Sequence, residues 1–307
     1  MSIKKEKVFV VGHKNPDTDS ICSAICYAHL KSELNRDVEY IAVRAGHLNE
    51  ESQYVMERFD VHPPVYIKDV RTQVRDIEIR ETEGVSQDIS LKKAWSLMRD
   101  DNVVTLPITE GNKLVGLITI GDIATSYMDV YDSKILATAK TRYKNILETL
   151  DGHMVTGDAE ALFDRGKVLI AAANPDLMEN YIEEHDLVIL GNRYESQLCA
   201  IEMKADCIVV CEGAPVSMTI KKLAEENGCT VIGTPHDTYT VARLINQSMP
   251  IAHFMRTERL ITFRLDEFTE TIKDVMAKKR HTDYPIQEKY ANYVAMKSRR
   301  NLLNKST

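Results

Sequence analysis

The sequence predicts an α/β protein of two or three domains, and three observations carry that expectation. An apolar strand through Val8-Phe9-Val10-Val11 stops at Gly12 and gives way to a helix. A helix–strand–turn–strand pattern occupies residues 90–130 and returns after Phe268. Between these copies, four apolar runs alternate with helical stretches, the pattern of an open, mostly parallel sheet.

Composition narrows the class. The chain has 307 residues, 44% hydrophobic and 28% charged, as in ordinary globular proteins. It lacks a run of about 18 apolar residues that would suggest a membrane span, and Met1–Lys7 leads into a strand without a signal-peptide apolar region. Cysteines 22, 26, 199, 207, 211 and 229 form no Cys-x-x-Cys pair, so reduced, packed thiols in a cytoplasmic protein are expected. A net charge of −7 argues against a nucleic-acid surface. Small phosphorylated ligands stay compatible, because local basic groups can bind them on an acidic protein.

The first turn holds the densest chemistry. His13 leaves the strand end, and Asp17 and Asp19 follow two apart after Pro16. Ser20 or Asp19 can cap the next helix, whose free N–H groups favour anions. Two close carboxylates repel unless a cation sits between them. Oxygen-rich sites of this kind suit Mg²⁺ or Mn²⁺, and Mn²⁺ tolerates imidazole. Taken alone, the acids also read as turn and cap residues.

The string Gly-His-Lys-Asn-Pro-Asp-Thr-Asp-Ser at 12–20 resembles the first motif of the DHH phosphoesterase superfamily. Within it, the string resembles the manganese-dependent family II inorganic pyrophosphatases, written Gly-His-x-x-Pro-Asp-Thr-Asp-Ser. The likeness runs through helix Ile21–Ala28 to Arg44-Ala45-Gly46-His47-Leu48-Asn49-Glu50-Glu51, near a family segment Leu-Gly-Glu-Leu-Asn-x-Glu. The resemblance implies that His13 and Asp17 bind one Mn²⁺ (or Co²⁺, or Mg²⁺) and Asp19 the other. It also implies that two metals activate a water against pyrophosphate. After residue 70 no Asp-His-His or Asp-His-Asn string follows, and the family's Ser-Arg-Lys substrate domain is absent. His185-Asp186 and His236-Asp237 read as a helix end and a helix cap. The expectation is therefore the N-terminal part of a larger pyrophosphatase, inactive alone.

In the first repeat copy, Ser90 caps a helix with Leu91, Ala94, Trp95 and Met98 on one face. Strands at 105–108 and 113–118 follow, and Thr119-Ile120-Gly121-Asp122 opens another helix. The second copy runs through Ile272, Val275 and Met276, then Tyr284-Pro285-Ile286, then 292–296, then Ser298-Arg299-Arg300-Asn301. Pro107 precedes Thr119 by 12 residues and Pro285 precedes Ser298 by 13. Both copies resemble CBS domains, which pair into discs whose clefts commonly bind adenine nucleotides. The resemblance implies a hydroxyl residue followed three later by Asp, contacting phosphate and ribose: Thr119 and Asp122 here, Ser298 and Asn301 in the second copy. Arg280 and His281 offer phosphate partners, and Tyr284 offers a ring for adenine. Helix capping by Thr119 and Asp122, and a core role for Tyr284, stay open at this point.

Strands Lys167–Ala173, Leu187–Leu190, Cys207–Cys211 and Cys229–Ile232 alternate with helices Leu177–Glu184, Glu195–Ala205, Val216–Asn227 and Thr238–Ile245. Placed between CBS copies, this block resembles the DRTGG domain, although the eponymous string is missing and no phosphate-binding loop occurs. The resulting fold class is α/β: a partial DHH parallel-sheet domain (1–70), CBS copy 1 (71–135), a DRTGG-like domain (136–247) and CBS copy 2 (248–307). The order resembles the regulatory-insert class of family II pyrophosphatases. It implies a homodimer that hydrolyses pyrophosphate and responds to AMP, ADP, ATP or diadenosine polyphosphates, without nucleic-acid or membrane partners. The alternatives are a non-catalytic adenine-nucleotide sensor and another DHH phosphoesterase.

Overall fold

A computed structural model describes residues 6–128, 132–279, 281–288 and 292–299. They form two compact units, Met1–Thr72 and Gln73–Thr307.

In the first unit, β1 (Glu6–Val11), α1 (Thr18–Leu34), β2 (Val38–Arg44), α2 (Glu50–Arg58) and β3 (Val65–Tyr66) alternate. The strands lie in the order β1-β2-β3, all parallel. Ile21, Ala24 and Ala28 share the buried stripe of α1, at spacings of three and four. The cap of α1 is Asp17, not Ser20 or Asp19. Asp17 is extended after Pro16, and its carboxylate accepts the Ser20 amide at 2.9 Å. Phe9 and Val11 on β1, and Tyr27, Leu30 and Leu34 on α1, stay exposed.

The second unit opens with α3 (Leu91–Asp100), β4 (Thr105–Glu110), β5 (Lys113–Thr119) and α4 (Ile120–Met128). Ser90 caps α3 as expected, accepting the Lys93 amide at 3.1 Å, and Leu91, Ala94 and Met98 are buried. Trp95 departs from the expected core face. It is 44% exposed and lines an apolar groove with Ile123, Tyr127 and Met128.

The middle block begins with α5 (Ile135–Thr138), β6 (Thr141–Arg142), α6 (Tyr143–Thr149), β7 (His153–Thr156) and β8 (Leu162–Phe163). Then β9 (Val168–Ile170), α7 (Pro175–Met178), β10 (Leu187–Leu190), α8 (Tyr194–Glu202), β11 (Cys207–Val210), α9 (Met218–Asn227), β12 (Thr230–Gly233) and α10 (Thr238–Leu244) alternate. The sheet order is β7-β12-β11-β10-β9, parallel except for β7 at the edge. β10, β11 and β12 are buried throughout, which is why they read as unbroken apolar runs. The expected helix Leu177–Glu184 stops at Met178. Asp186, 1% exposed, accepts the Glu183 amide at 2.8 Å and the Lys167 amide at 2.9 Å. That carboxylate bridges two chain segments and turns the chain into β10 where a helix would have continued.

The unit closes with β13 (Phe263–Arg264), α11 (Thr269–Lys279), β14 (Asp283–Gln287) and β15 (Tyr293–Ser298). The two repeats share their strand pairing. Thr105 faces Thr119 across β4–β5, and Asp283 faces Ser298 across β14–β15. No helix among the described residues is long and apolar enough to cross a membrane. All six cysteines are free, four of them buried.

Candidate nucleotide clefts and metal-binding turn

In the first unit, β1 and α1 bring His13 and Asp17 together, with Nε2 and Oδ1 3.4 Å apart. The Ser20 amide, and then the His13 ring, hold the Asp17 carboxyl below the usual carboxylate range. Asp19 lies in the first turn of α1, where its Oδ1 accepts the Ser23 hydroxyl at 3.5 Å. Among the described residues, no group of three or more His, Cys, Asp or Glu is placed to hold a metal ion. An imidazole nitrogen beside a carboxylate oxygen is a donor pair that suits Mn²⁺ or Co²⁺, and two side chains alone do not enclose such an ion.

In the second unit, a cavity of about 580 Å³ is lined by Thr119, Gly121, Arg256, Arg259, Lys279, His281 and Tyr284, among others. That size falls within the range of about 300–1,000 Å³ usual for small-ligand pockets. Thr119 and Asp122 form a reciprocal cap at the start of α4. The Thr119 amide and hydroxyl donate to Asp122 Oδ2 at 2.9 and 2.7 Å, and the Asp122 amide donates to Thr119 Oγ1 at 3.2 Å. The other oxygen, Oδ1, accepts Nε and Nη2 of Arg256 at 3.0 and 2.7 Å. Tyr284 is fully buried, its ring centroid 5.1 Å from that of Phe263, so its face is packed rather than presented to a base. Its hydroxyl makes no well-formed hydrogen bond, which marks an unmet polar demand at the cavity wall.

A second cavity of about 520 Å³ contains Arg80, Thr82, Lys297 and Ser298. Val104, Thr105, Thr282 and Asp283 line both cavities and form the wall between them. The expected nucleotide residues are thus divided. Thr119, His281 and Tyr284 meet in the first cleft, Ser298 belongs to the second, and Asp122 lines neither, sitting behind Thr119 and Arg256. Arg280 and Asn301 lie outside the described residues. The buried Thr82 Oγ1 is also without a partner, and the buried Lys297 ammonium donates to the Glu78 carbonyl. Sequence reasoning missed Arg256, Arg259, Lys279, Arg80, Lys297 and Asp283. The repeat held one usable signal, since Thr105 and Asp283 occupy matching places before Thr119 and Ser298.

Burial pushes the Asp283 carboxyl up, against hydrogen bonds from Thr105 and Ser298 and the charge of Arg80. With the folded pKa above the unfolded one, the folded state holds more protons, so stability falls as pH rises from the ordinary carboxylate value through the raised one. Asp283→Asn should flatten that part of a stability–pH curve measured by denaturant unfolding and should leave the protein more stable near neutrality. An unchanged slope would remove Asp283 as its source.

Comparison with known proteins places this architecture. A CBS domain model matches residues 74–129, and a DRTGG domain model matches residues 145–248. The crystal structure of the CBS and DRTGG domains of the regulatory region of Clostridium perfringens pyrophosphatase, complexed with its activator diadenosine tetraphosphate, superposes with a TM-score of 0.71. It is 35% identical and covers 75% of this chain and 100% of that one. The chain belongs to the CBS- and DRTGG-containing homologues of the family II inorganic pyrophosphatases. The cobalt-dependent inorganic pyrophosphatase of C. perfringens is 36% identical over 301 residues, 98% of this chain and 55% of that protein. A Thermotoga maritima protein, named a probable manganese-dependent inorganic pyrophosphatase, is 30% identical over 88% of this chain and 49% of its own length. The chain spans about half the length of the curated relatives it matches.

Proposed function

We propose that this chain carries the metal-binding turn and the adenine-nucleotide sensor of an inorganic pyrophosphatase, and that it needs further polypeptide for hydrolysis. The observation that carries the sensor reading is the first cleft, where Thr119 at a helix start lines a cavity with Arg256, Arg259 and Lys279, and Asp122 is bonded to both Thr119 and Arg256 just behind that lining. The activator in the C. perfringens complex supports an adenosine phosphate as the ligand: AMP, ADP, ATP or a diadenosine polyphosphate. Residues 1–70 are read as the start of a DHH catalytic domain, 71–135 and 248–307 as the CBS copies, and 136–247 as the DRTGG-like domain.

His13 and Asp17 would hold one metal ion, with Asp19 contributing to a second. A bound ion would supply Lewis-acid activation of water toward pyrophosphate. The exposed Phe9 and Val11 support an incomplete catalytic domain, because an edge strand with a bare apolar face wants a covering layer. The groove around Trp95, Tyr127 and Met128 is consistent with a homodimer. Buried free thiols agree with a cytoplasmic setting. A second reading, a sensor with no catalytic role, is favoured by the lack of a three-ligand cluster among the described residues.

Two measurements separate the readings. Calorimetry should show saturable AMP binding to this chain; no binding would reject the sensor. A protein extended to the length of its relatives should release phosphate from pyrophosphate with Mn²⁺ or Co²⁺. Silence of the extended protein with either metal would leave only the non-catalytic reading.

A further inference from the structure

The stretch before β13, with the end of α11, supplies the first cleft with basic groups that the hydroxyl–carboxylate motif of neither repeat includes. Arg256, Arg259 and Lys279 line the cavity with His281, against Glu258 and Asp283. The three basic side chains outnumber the two carboxylates, so the cavity wall is cationic on a chain whose net charge is −7. Among the described residues, the Arg259 and Lys279 side chains make no ion pair or hydrogen bond. Arg259 sits at φ +55°, a left-handed conformation rare for a side-chain-bearing residue and one that clusters at ligand sites.

Arg256 is differently placed. Its side chain is 59% exposed, and its guanidinium forks onto Asp122 Oδ1, whose side chain is 13% exposed. With Oδ2 taken by Thr119, the carboxylate has no uncommitted oxygen for a ribose hydroxyl. The Arg256 backbone is pinned, since its amide donates to the Leu117 carbonyl at 2.9 Å and its carbonyl accepts the Leu117 amide at 3.0 Å. Gly116 permits this close approach, because a Cβ there would lie 3.0 Å from Met255 Sδ and 3.1 Å from the Arg256 carbonyl. Only the Arg256 side chain is therefore left to move.

Resting on the nucleotide reading of this cleft, we propose that Arg256 and Arg259 select nucleotides with two or more phosphates. The ribose diol displaces the Arg256 guanidinium from Asp122. The released fork then joins Arg259 on the phosphate chain, where planar guanidinium groups bind charged oxygens well. A monophosphate breaks the Arg256–Asp122 pair without offering a full replacement. A longer phosphate chain restores both partners.

Calorimetry of the intact chain with AMP, ADP and ATP tests this. Affinity should rise from AMP to ADP to ATP. Arg259→Gln should weaken ATP about tenfold, the scale of a lost charge-assisted hydrogen bond, and change AMP less than about twofold. Arg256→Gln should weaken ATP about as much and leave AMP equal or tighter, since the competing latch is gone. Arg256→Lys keeps the charge without the fork and should fall between. Unchanged melting temperatures would confirm that each variant folds. Equal wild-type affinity for AMP and ATP, or a parallel loss of both in the variants, would overturn the selection while leaving the cleft a nucleotide site. No binding of any of the three would overturn both.

Discussion

Replacing Gly166 by alanine should cost at least about 3 kcal/mol of stability, the sum of a forbidden backbone conformation and a clash that cannot relax. Gly166 has φ +86°, and a Cβ built there would lie 2.0 Å from the His185 carbonyl oxygen, 2.5 Å from its carbon and 2.9 Å from the Asp186 amide. All three are main-chain atoms. His185 is itself left-handed at φ +74°, and its Nδ1 is 2.9 Å from Asp206 Oδ1. Asp186 is tied to the Lys167 and Glu183 amides. The turn has no slack with which to admit a methyl group. Two other glycines grade the effect. Gly111 has φ +58° with nothing near its absent Cβ, so Gly111→Ala should cost about 1 kcal/mol, the left-handed penalty alone. Gly191 has open space and no left-handed φ, so Gly191→Ala should stay within about 0.5 kcal/mol of the parent. In thermal unfolding, Gly166→Ala should lower Tm by about 6–12 °C for a unit of this size. A Gly166→Ala protein that melts like Gly111→Ala would show that the loop yields after all.

Asp122→Ala should weaken AMP binding by about 10- to 150-fold, the range expected when a charged hydrogen-bond acceptor is removed from a ligand. On the proposed nucleotide reading, Asp122 is the carboxylate that meets a ribose hydroxyl once Arg256 leaves it. The same substitution removes the Thr119 cap of α4, so a separate loss of about 1 kcal/mol in folding stability should accompany it. Asp122→Asn keeps the side-chain volume and a neutral acceptor, and its affinity should fall between the two. Binding and melting thus give independent readouts. An affinity change under twofold in Asp122→Ala would confine this carboxylate to helix capping.

Much of the architecture could be read before any coordinates. β10 spans Leu187–Leu190 as expected, because a strand buried on both faces leaves a continuous apolar run. Ser90 and Asp237 cap α3 and α10 with side-chain oxygens that accept amides three residues on, a signal confined to one turn of chain. The repeat was legible because both copies keep a proline in the first strand of the hairpin and a hydroxyl at the end of the second. Where the reading failed, a distant group had intervened. The expected helix at 177–184 yields to Asp186, whose carboxylate also holds the Lys167 amide 19 residues earlier, and Tyr284 is closed off by Phe263, 21 residues earlier.

The residues alone settled much of what is local: most of the strands and helices, the cap of α3 at Ser90 and of α10 at Asp237, and that His13 and Asp17 share one turn. Only the tertiary structure decided which groups meet. It divided the residues expected to meet a nucleotide between two clefts, and it set Arg256 on Asp122 across 134 positions of chain. Capping and periodicity act within a few residues and leave their mark on the sequence. A contact closed by packing between far segments obeys no period, and its partners become visible only when the chain has folded.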